Sequence, residues 1–290
     1  MTIDPRRRLA TFIDRGTPTA PHMVRQEILT GLALGAGFDL DNSVPGASAT
    51  LIATASSTGR RTDHSDALLW YKCDEDASPL VNSGNGGVLD LAALGSADVQ
   101  FGRTGVFGKC VHTNNWTGNC GRFATANTAL TPASAGCTLW AVLSPPYPQG
   151  AIDPIWGYRR LTDQRKYAVL ERQGDVWNFT IYPTGGPAEV DCSAGGDKTI
   201  MQGSMSPCLV VGTYDGANIR LWFNGLLVQT TACPGTIDFT DPDSYWGIAW
   251  AKDLAGIDMG YFGITNEVGA ASAVWTDAQI NAKFKLIMGW

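Results

Sequence analysis

Two acidic clusters, one amide-rich loop around a tryptophan and three histidines are the parts of this 290-residue chain that could do chemistry. The clusters are Asp74-Glu75-Asp76 and Asp238-Phe239-Thr240-Asp241-Pro242-Asp243. Two carboxylates across one cleft would hydrolyse a glycosidic bond, and oxygens from Asp238, Asp241 and Asp243 on a flexible loop would suit calcium. Ala77, Ser78 and Pro79 follow the first cluster and a proline interrupts the second, so both read as loops where aspartate caps turns. No catalytic residue and no metal ligand is assigned from them. Calcium stays an option at the second loop, and no other cofactor is expected. Of His22, His64 and His112, two fall in an N-terminal stretch of different composition, which argues against a Ser-His-Asp or metal-His arrangement. Gly84-Asn85-Gly86-Gly87 lacks the lysine and the strand-to-helix context of a phosphate loop.

Aromatic side chains are the stronger lead. Sugar rings stack on Trp and Tyr faces while Asn, Asp and Arg bind the hydroxyls. Trp116 stands beside Asn114, Asn115 and Asn119, which makes this segment the first candidate carbohydrate contact. Tyr147, Trp156 with Tyr158 and Arg159, and Tyr245-Trp246 come next. The competing reading is packing, because most of ten tryptophans belong in a core or at subunit contacts.

These residues need a frame, and Val211–Thr230 supplies its pattern. Asn224-Gly225 tolerates positive φ at both central positions of a type I′ turn, so Ile219–Phe223 should fold back on Leu226–Thr230. That register sets Phe223 against Leu226 and Leu221 against Val228 on one surface, with Trp222 and Leu227 on the other. Apolar side chains on both faces suggest strands inside a sandwich. Asp215-Gly216 is a second turn signal, ending the run Leu209–Tyr214. Further apolar runs separated by turn residues are Leu68–Lys72, Thr138–Leu143, Tyr167–Arg172, Val176–Tyr182, Tyr245–Trp250 and Gly260–Ile264. The chain closes on a helix. Thr276 and Gln279 form a capping box, Trp275 can staple against Ile280, and Ile280, Phe284 and Ile287 share a face.

The segment Gly212-Thr213-Tyr214-Asp215-Gly216 with its Asn224-Gly225 hairpin resembles the laminin G-like branch of the concanavalin A-like lectin/glucanase superfamily. Pro207-Cys208-Leu209-Val210 stands where that branch carries a Trp-His-His strand. Leu69-Trp70-Tyr71-Lys72-Cys73-Asp74-Glu75 is similar to the opening strand of the family, Val81–Gly87 to its Gly-Asn-Gly turn, Gly105–Val111 to its next strand, and Thr276–Ile280 to its closing segment. The order matches throughout. The resemblance implies an all-β, two-sheet antiparallel jelly roll, a fold that hosts lectins, hydrolases and architectural modules alike. Its hydrolase branch uses a strand with alternating carboxylates, which this sequence lacks.

Hydrophobic residues at 44%, charged residues at 17% and 34 glycines suit a turn-rich β domain with an ample core. The domain is expected over residues 66–290, preceded by an arm over 1–65. In the arm, Leu9, Phe12 and Ile13 share one helical face and Val24 and Ile28 begin a second; neither can bury that face alone, so these five are candidate assembly contacts. Asp41 to Asp63 is rich in Ser, Thr, Ala and Gly and reads as a linker. A net charge of −6 with pI near 5.0 argues against a nucleic-acid partner. The N-terminus does not read as a signal peptide, and no stretch approaches a membrane span. Seven cysteines form no zinc pattern and suggest free buried thiols, with Cys192–Cys208 or Cys110–Cys120 as the alternative pairings. The sequons at Asn115 and Asn178 carry little weight without secretion.

Three classes of function remain. A non-enzymatic virion component of a bacteriophage (capsid decoration, head fibre or tail-associated protein) accounts for the arm, the sandwich and the missing active site. It would self-associate, contact other virion or capsid proteins, and could bind a host-surface glycan. The alternatives are a glycan-binding adhesion module of a cell-surface protein, and a glycosidase or lyase.

Overall fold

A computed structural model describes residues 64–94, 99–113, 122–125, 132–144, 153–160, 165–173, 176–184, 188–194, 208–252, 258–260 and 263–287. In chain order the strands are β1 (Ala67–Tyr71), β2 (Ala92–Leu94), β3 (Val99–Gly105), β4 (Gly108–Thr113), β5 (Arg122–Thr125), β6 (Cys137–Ser144), β7 (Asp153–Arg160), β8 (Lys166–Gln173), β9 (Val176–Ile181) and β10 (Pro183–Thr184). They continue as β11 (Val190–Ala194), β12 (Cys208–Tyr214), β13 (Asn218–Phe223), β14 (Leu226–Ala232), β15 (Thr236–Ile237), β16 (Ser244–Ile248), β17 (Trp250–Lys252), β18 (Asp258–Gly260) and β19 (Gly263–Ala271), and then the helix α1 (Asp277–Ile287). The all-β expectation with a short C-terminal helix holds. The arm over 1–63, with Leu9, Phe12, Ile13, Val24 and Ile28, lies outside the described residues.

Two antiparallel sheets form the sandwich. One runs β14-β13-β12-β6-β19-β4-β3 with β1 also on β19; the other runs β11-β9-β8-β7-β16-β5-β2. Strand alternation sends one set of side chains between the sheets. Leu139, Ala141, Val210 and Leu221 from the first sheet meet Trp156, Tyr158, Leu170, Phe179 and Trp246 from the second. Burying each such large side chain contributes about 1.5–3 kcal/mol.

The hairpin turn has the expected conformation, with φ of 50° at Asn224 and 81° at Gly225. Its first two pairs, Phe223 with Leu226 and Trp222 with Leu227, match the expected register. The third does not. A bulge between Leu221 and Trp222 sets Leu221 against Gln229 instead of Val228, because one extra residue on a strand shifts every later pair. The expectation of two buried faces is also corrected for β14. It is the edge strand of its sheet, with Leu226 66% and Val228 42% exposed.

On the outer face of the eight-stranded sheet, Trp140, Val142, Leu209, Val211 and Trp222 form a second apolar cluster with Trp275, Ile280, Phe284 and Ile287. The helix α1 lies over it because its start is fixed. Gln279 N donates to Thr276 Oγ1 at 3.4 Å, Thr276 N donates to Gln279 Oε1 at 2.8 Å, and Trp275 N donates to Thr138 Oγ1 at 3.0 Å. Gly269 makes room for Trp140, since a Cβ there would stand 2.1 Å from the indole ring. His64, counted with the arm in the sequence, is buried in this cluster. Its ring stacks on Trp140 at 4.5 Å and on Trp275 at 5.6 Å. Its Nε2 lies 2.6 Å from Glu267 Oε1, and Lys283 Nζ lies 3.0 Å from its Nδ1.

The six described cysteines are buried, and Cys110, Cys137, Cys192, Cys208 and Cys233 are free thiols. Burial alone pushes the Cys137 thiol up to about 12 and holds Cys233 at about 11. They are packing residues, and no Cys192–Cys208 bridge exists. Cys120 lies outside the described residues. No helix among those described is long and apolar enough to cross a membrane.

Candidate functional site

Two connections that carry the aromatic and amide candidates start from one rim of the sandwich. The chain leaves β4 after Thr113 and β6 after Ser144, and these residues flank the start of β19, paired with Gly263 and Ile264 respectively. It re-enters the second sheet through β5 and β7, which flank β16: Phe123 and Trp156 both lie opposite Ile248. Trp116, Asn114, Asn115, Asn119 and Tyr147 lie outside the described residues, between these anchors. The strand order thus brings the roots of both connections together, although they are distant in sequence.

The seven-stranded sheet carries polar side chains on the face turned away from the core, from Glu171 near the rim to Arg159 near the far end of β7. Glu171 on β8 pairs with Pro154, the second residue of β7, and with Asn178 on β9. Arg159 lies opposite Tyr245 across β7 and β16, and Thr180 opposite Asp191 across β9 and β11. Period-two alternation explains this row, because each residue neighbours a core residue: Leu170, Phe179, Tyr158, Trp246 and Cys192.

Glu171 is fully buried and saturated. Arg159 Nη2 donates to its Oε2 at 2.6 Å, while Lys166 Nζ at 2.6 Å and Gln173 Nε2 at 2.9 Å donate to its Oε1. Burial opposes the charge, but Arg159 and Lys166 outweigh it and hold the carboxyl below its ordinary 4.5. Such a carboxylate stays ionised at neutral pH and cannot act as the protonated acid that glycoside hydrolysis requires. Thr180 Oγ1 donates to Asp191 Oδ1 at 2.6 Å. Asn178, 3% exposed, leaves its Oδ1 without a hydrogen-bond partner.

Several sequence candidates are corrected. Trp156 is not a surface ring: it is 1% exposed, stacks on Trp246 at 4.9 Å and donates Nε1–H to Gly269 O at 2.8 Å. Tyr158 and Trp246 are core residues too, and Tyr245 is buried on the outer face. The alternation of Trp156 and Tyr158 with Gly157 and Arg159 was the signal that could have placed them inward. Asn178 is too buried to serve as a glycosylation sequon.

The acidic clusters form turns. Asp238 Oδ1 accepts from Thr240 N and Oγ1, and Asp241 Oδ1 accepts from Asp243 N. Asp241 Oδ2 accepts from the Tyr167 hydroxyl at 2.5 Å and lies 3.1 Å from Arg160 Nε. Burial opposes the charge on Asp241, and the bonds from Tyr167 and the Asp243 amide, with Arg160, hold its carboxyl below the usual range. Glu75 accepts from Val81 N, and Asp76 pairs with Lys109. Among the described residues no group of three His, Cys, Asp or Glu side chains could hold a metal ion. Sequence reasoning missed Glu171 and its partners, whose strands were found but whose outward parity was not read, and the His64–Glu267 pair.

No protein-family model and no curated protein matches the chain. Solved structures do. A botulinum neurotoxin DC binding domain in complex with rat synaptotagmin II aligns with a TM-score of 0.56 at 12% identity, covering 77% of this chain and 52% of that one. The same domain in complex with SialylT gives 0.58 at 13% identity, covering 77% and 51%. A third match, described by the dependence of botulinum neurotoxin type C cell entry on two ganglioside molecules, gives 0.56 at 13%, covering 77% and 51%. The chain spans about half the length of these structures. At such identities the likeness establishes the fold alone: a two-sheet β-sandwich.

Proposed function

We propose that this chain is a non-catalytic recognition module, a lectin-like sandwich that presents the rim between the β4–β5 and β6–β7 connections to a glycan. The observation that carries this reading is the shared rim. It brings together the strand ends from which the segments carrying Trp116, Asn114, Asn115, Asn119 and Tyr147 depart, and recognition needs only stacking faces and amide hydrogen bonds. The ionised, saturated Glu171 beneath it supports a role without acid–base chemistry.

The module belongs to a bacteriophage virion, as a capsid decoration, head fibre or tail-associated protein, and its N-terminal arm attaches it to other virion proteins. Buried free thiols suit assembly in a reducing cytoplasm. An adhesion module of a cell-surface protein is the second reading, favoured by the likeness to toxin binding domains.

Mass spectrometry of purified particles and of cell envelopes separates the two: the protein is expected at fixed copy number in particles, and recovery from envelopes alone overturns the virion assignment. A glycan array run beside a polysaccharide hydrolysis assay tests the recognition role. Binding without turnover is expected; turnover abolished by Glu171→Gln contradicts it.

A further inference from the structure

β14 is an exposed edge of the sandwich, with six of its seven residues open to solvent. Among the described residues β14 has a ladder only with β13; β11 approaches its far end, where Cys192 bonds Thr231, and the stretch left open to a further strand is the exposed Leu226–Thr230. The strand reads Leu-Leu-Val-Gln-Thr-Thr-Ala, with no charge, proline or glycine among its seven residues, so the bulge at Val228 is the one edge-blunting device its sequence and pairing supply. Beside it a groove of about 560 Å³ runs between the hairpin and α1, lined by Trp222, Leu226, Leu227, Ala278, Asn281 and Lys285.

What fits there follows from the chemistry of the edge and from where the described chain begins. Leu226, Leu227, Val228 and Leu286 are the exposed apolar side chains at this corner. A second globular copy needs about 20–30 residues a side for a stable interface, so the patch suits one short strand. An extended strand also takes the edge hydrogen bonds, which a helix cannot. His64, the first described residue, is held by Lys283 on α1, the helix that walls the groove. Sixty-three residues precede it.

Within those residues, Ala49-Thr50-Leu51-Ile52-Ala53-Thr54-Ala55 matches β14 in length and in its lack of charge, proline and glycine. Its β-branched Thr50, Ile52 and Thr54 alternate with Leu51 and Ala53, the pattern of a strand. Eight residues, 56–63, separate it from His64, a reach of at most about 26–29 Å when extended. This is enough to cross a helix about 10–12 Å wide.

We propose that Ala49–Ala55 adds to β14 of its own sandwich as a further antiparallel or parallel edge strand, with Leu51 or Ile52 entering the groove beside α1. Residues 1–48 then leave the domain at this corner and are free to attach it elsewhere. The inference is independent of any ligand at the rim.

The test is hydrogen–deuterium exchange of the full chain at two protein concentrations tenfold apart, comparing wild type with the Leu51→Asp/Ile52→Asp double variant. The outward amides of β14 are expected to exchange at least tenfold more slowly in wild type, equally at both concentrations, while β12 and β6 are unchanged between proteins. Equal β14 exchange in the two proteins overturns the proposal. So does protection that grows with concentration, which would assign the edge to a second copy. Should the double variant aggregate, Ile52→Pro carries the same prediction, since it removes a single backbone donor.

Discussion

The two outer faces of the sandwich are built on opposite principles. Over the eight-stranded sheet, Trp140, Trp222 and Trp275 pack with Ile280 and Phe284 beneath a helix, and the His64–Glu267–Lys283 chain threads through this apolar cluster. Over the seven-stranded sheet, Arg159, Lys166, Gln173 and Glu171 form a saturated ionic network beside an unpartnered Asn178 oxygen. A face that only needs sealing is most simply sealed with hydrocarbon, because desolvating ion pairs offsets most of their attraction. The retained polar row runs from Glu171, opposite Pro154 near the start of β7, to Arg159 near its end. The first face is sealed by apolar packing under a helix, whereas the second is held by a buried ionic network.

Breaking the polar row should have the largest effect. Arg159→Ala leaves Glu171 Oε2 buried without its ionic partner and should cost about 3–5 kcal/mol, read by urea denaturation. The paired replacement Arg159→Met/Glu171→Leu sharpens the comparison: stability within about 1 kcal/mol of wild type, or above it, marks the network as dispensable for folding. On the apolar face, Ile280→Ala should cost about 2–5 kcal/mol through the cavity under α1. If Ile280→Ala were neutral, the helix would not be the seal described.

Gly225→Val should cost about 1–3 kcal/mol, because φ is 81° and a Cβ there stands 3.2 Å from Phe284. An unchanged melting temperature would refute the turn. Acid should act on the polar face first. Glu171 and Asp241 have carboxyls held below their ordinary 4.5 and 3.8. Their contribution is complete above those values and lost as pH falls through the lower folded values. Stability should therefore decline below about pH 4.5, and Glu171→Gln should flatten the upper part of that decline.

Much of the fold was legible because its signals are local. Asn224-Gly225 and the Thr276–Gln279 box specify their geometry within four residues, and both formed as read. The bulge at Leu221 was not legible, since nothing in the hairpin sequence announces an extra residue. Nor was the exposure of β14, which depends on strand order across the whole chain. Trp156 was misread as a surface ring although its alternation with Gly157 and Arg159 places it inward. The His64–Glu267 contact joins residues 203 apart, which spacing alone cannot reveal. Of the candidate site, the residue types were visible and the shared rim was not. Adjacency of β4 and β6 on β19 emerges only from the sheet order.

Trp116→Ala probes the proposed recognition at that rim. Binding of the full chain and of this variant to the same glycan array, with melting temperatures alongside, is the measurement. The account predicts an unchanged melting temperature and a loss of glycan signal of about fivefold, the equivalent of the 1 kcal/mol expected from one stacking ring. Glycan binding that survives the substitution undiminished would contradict it.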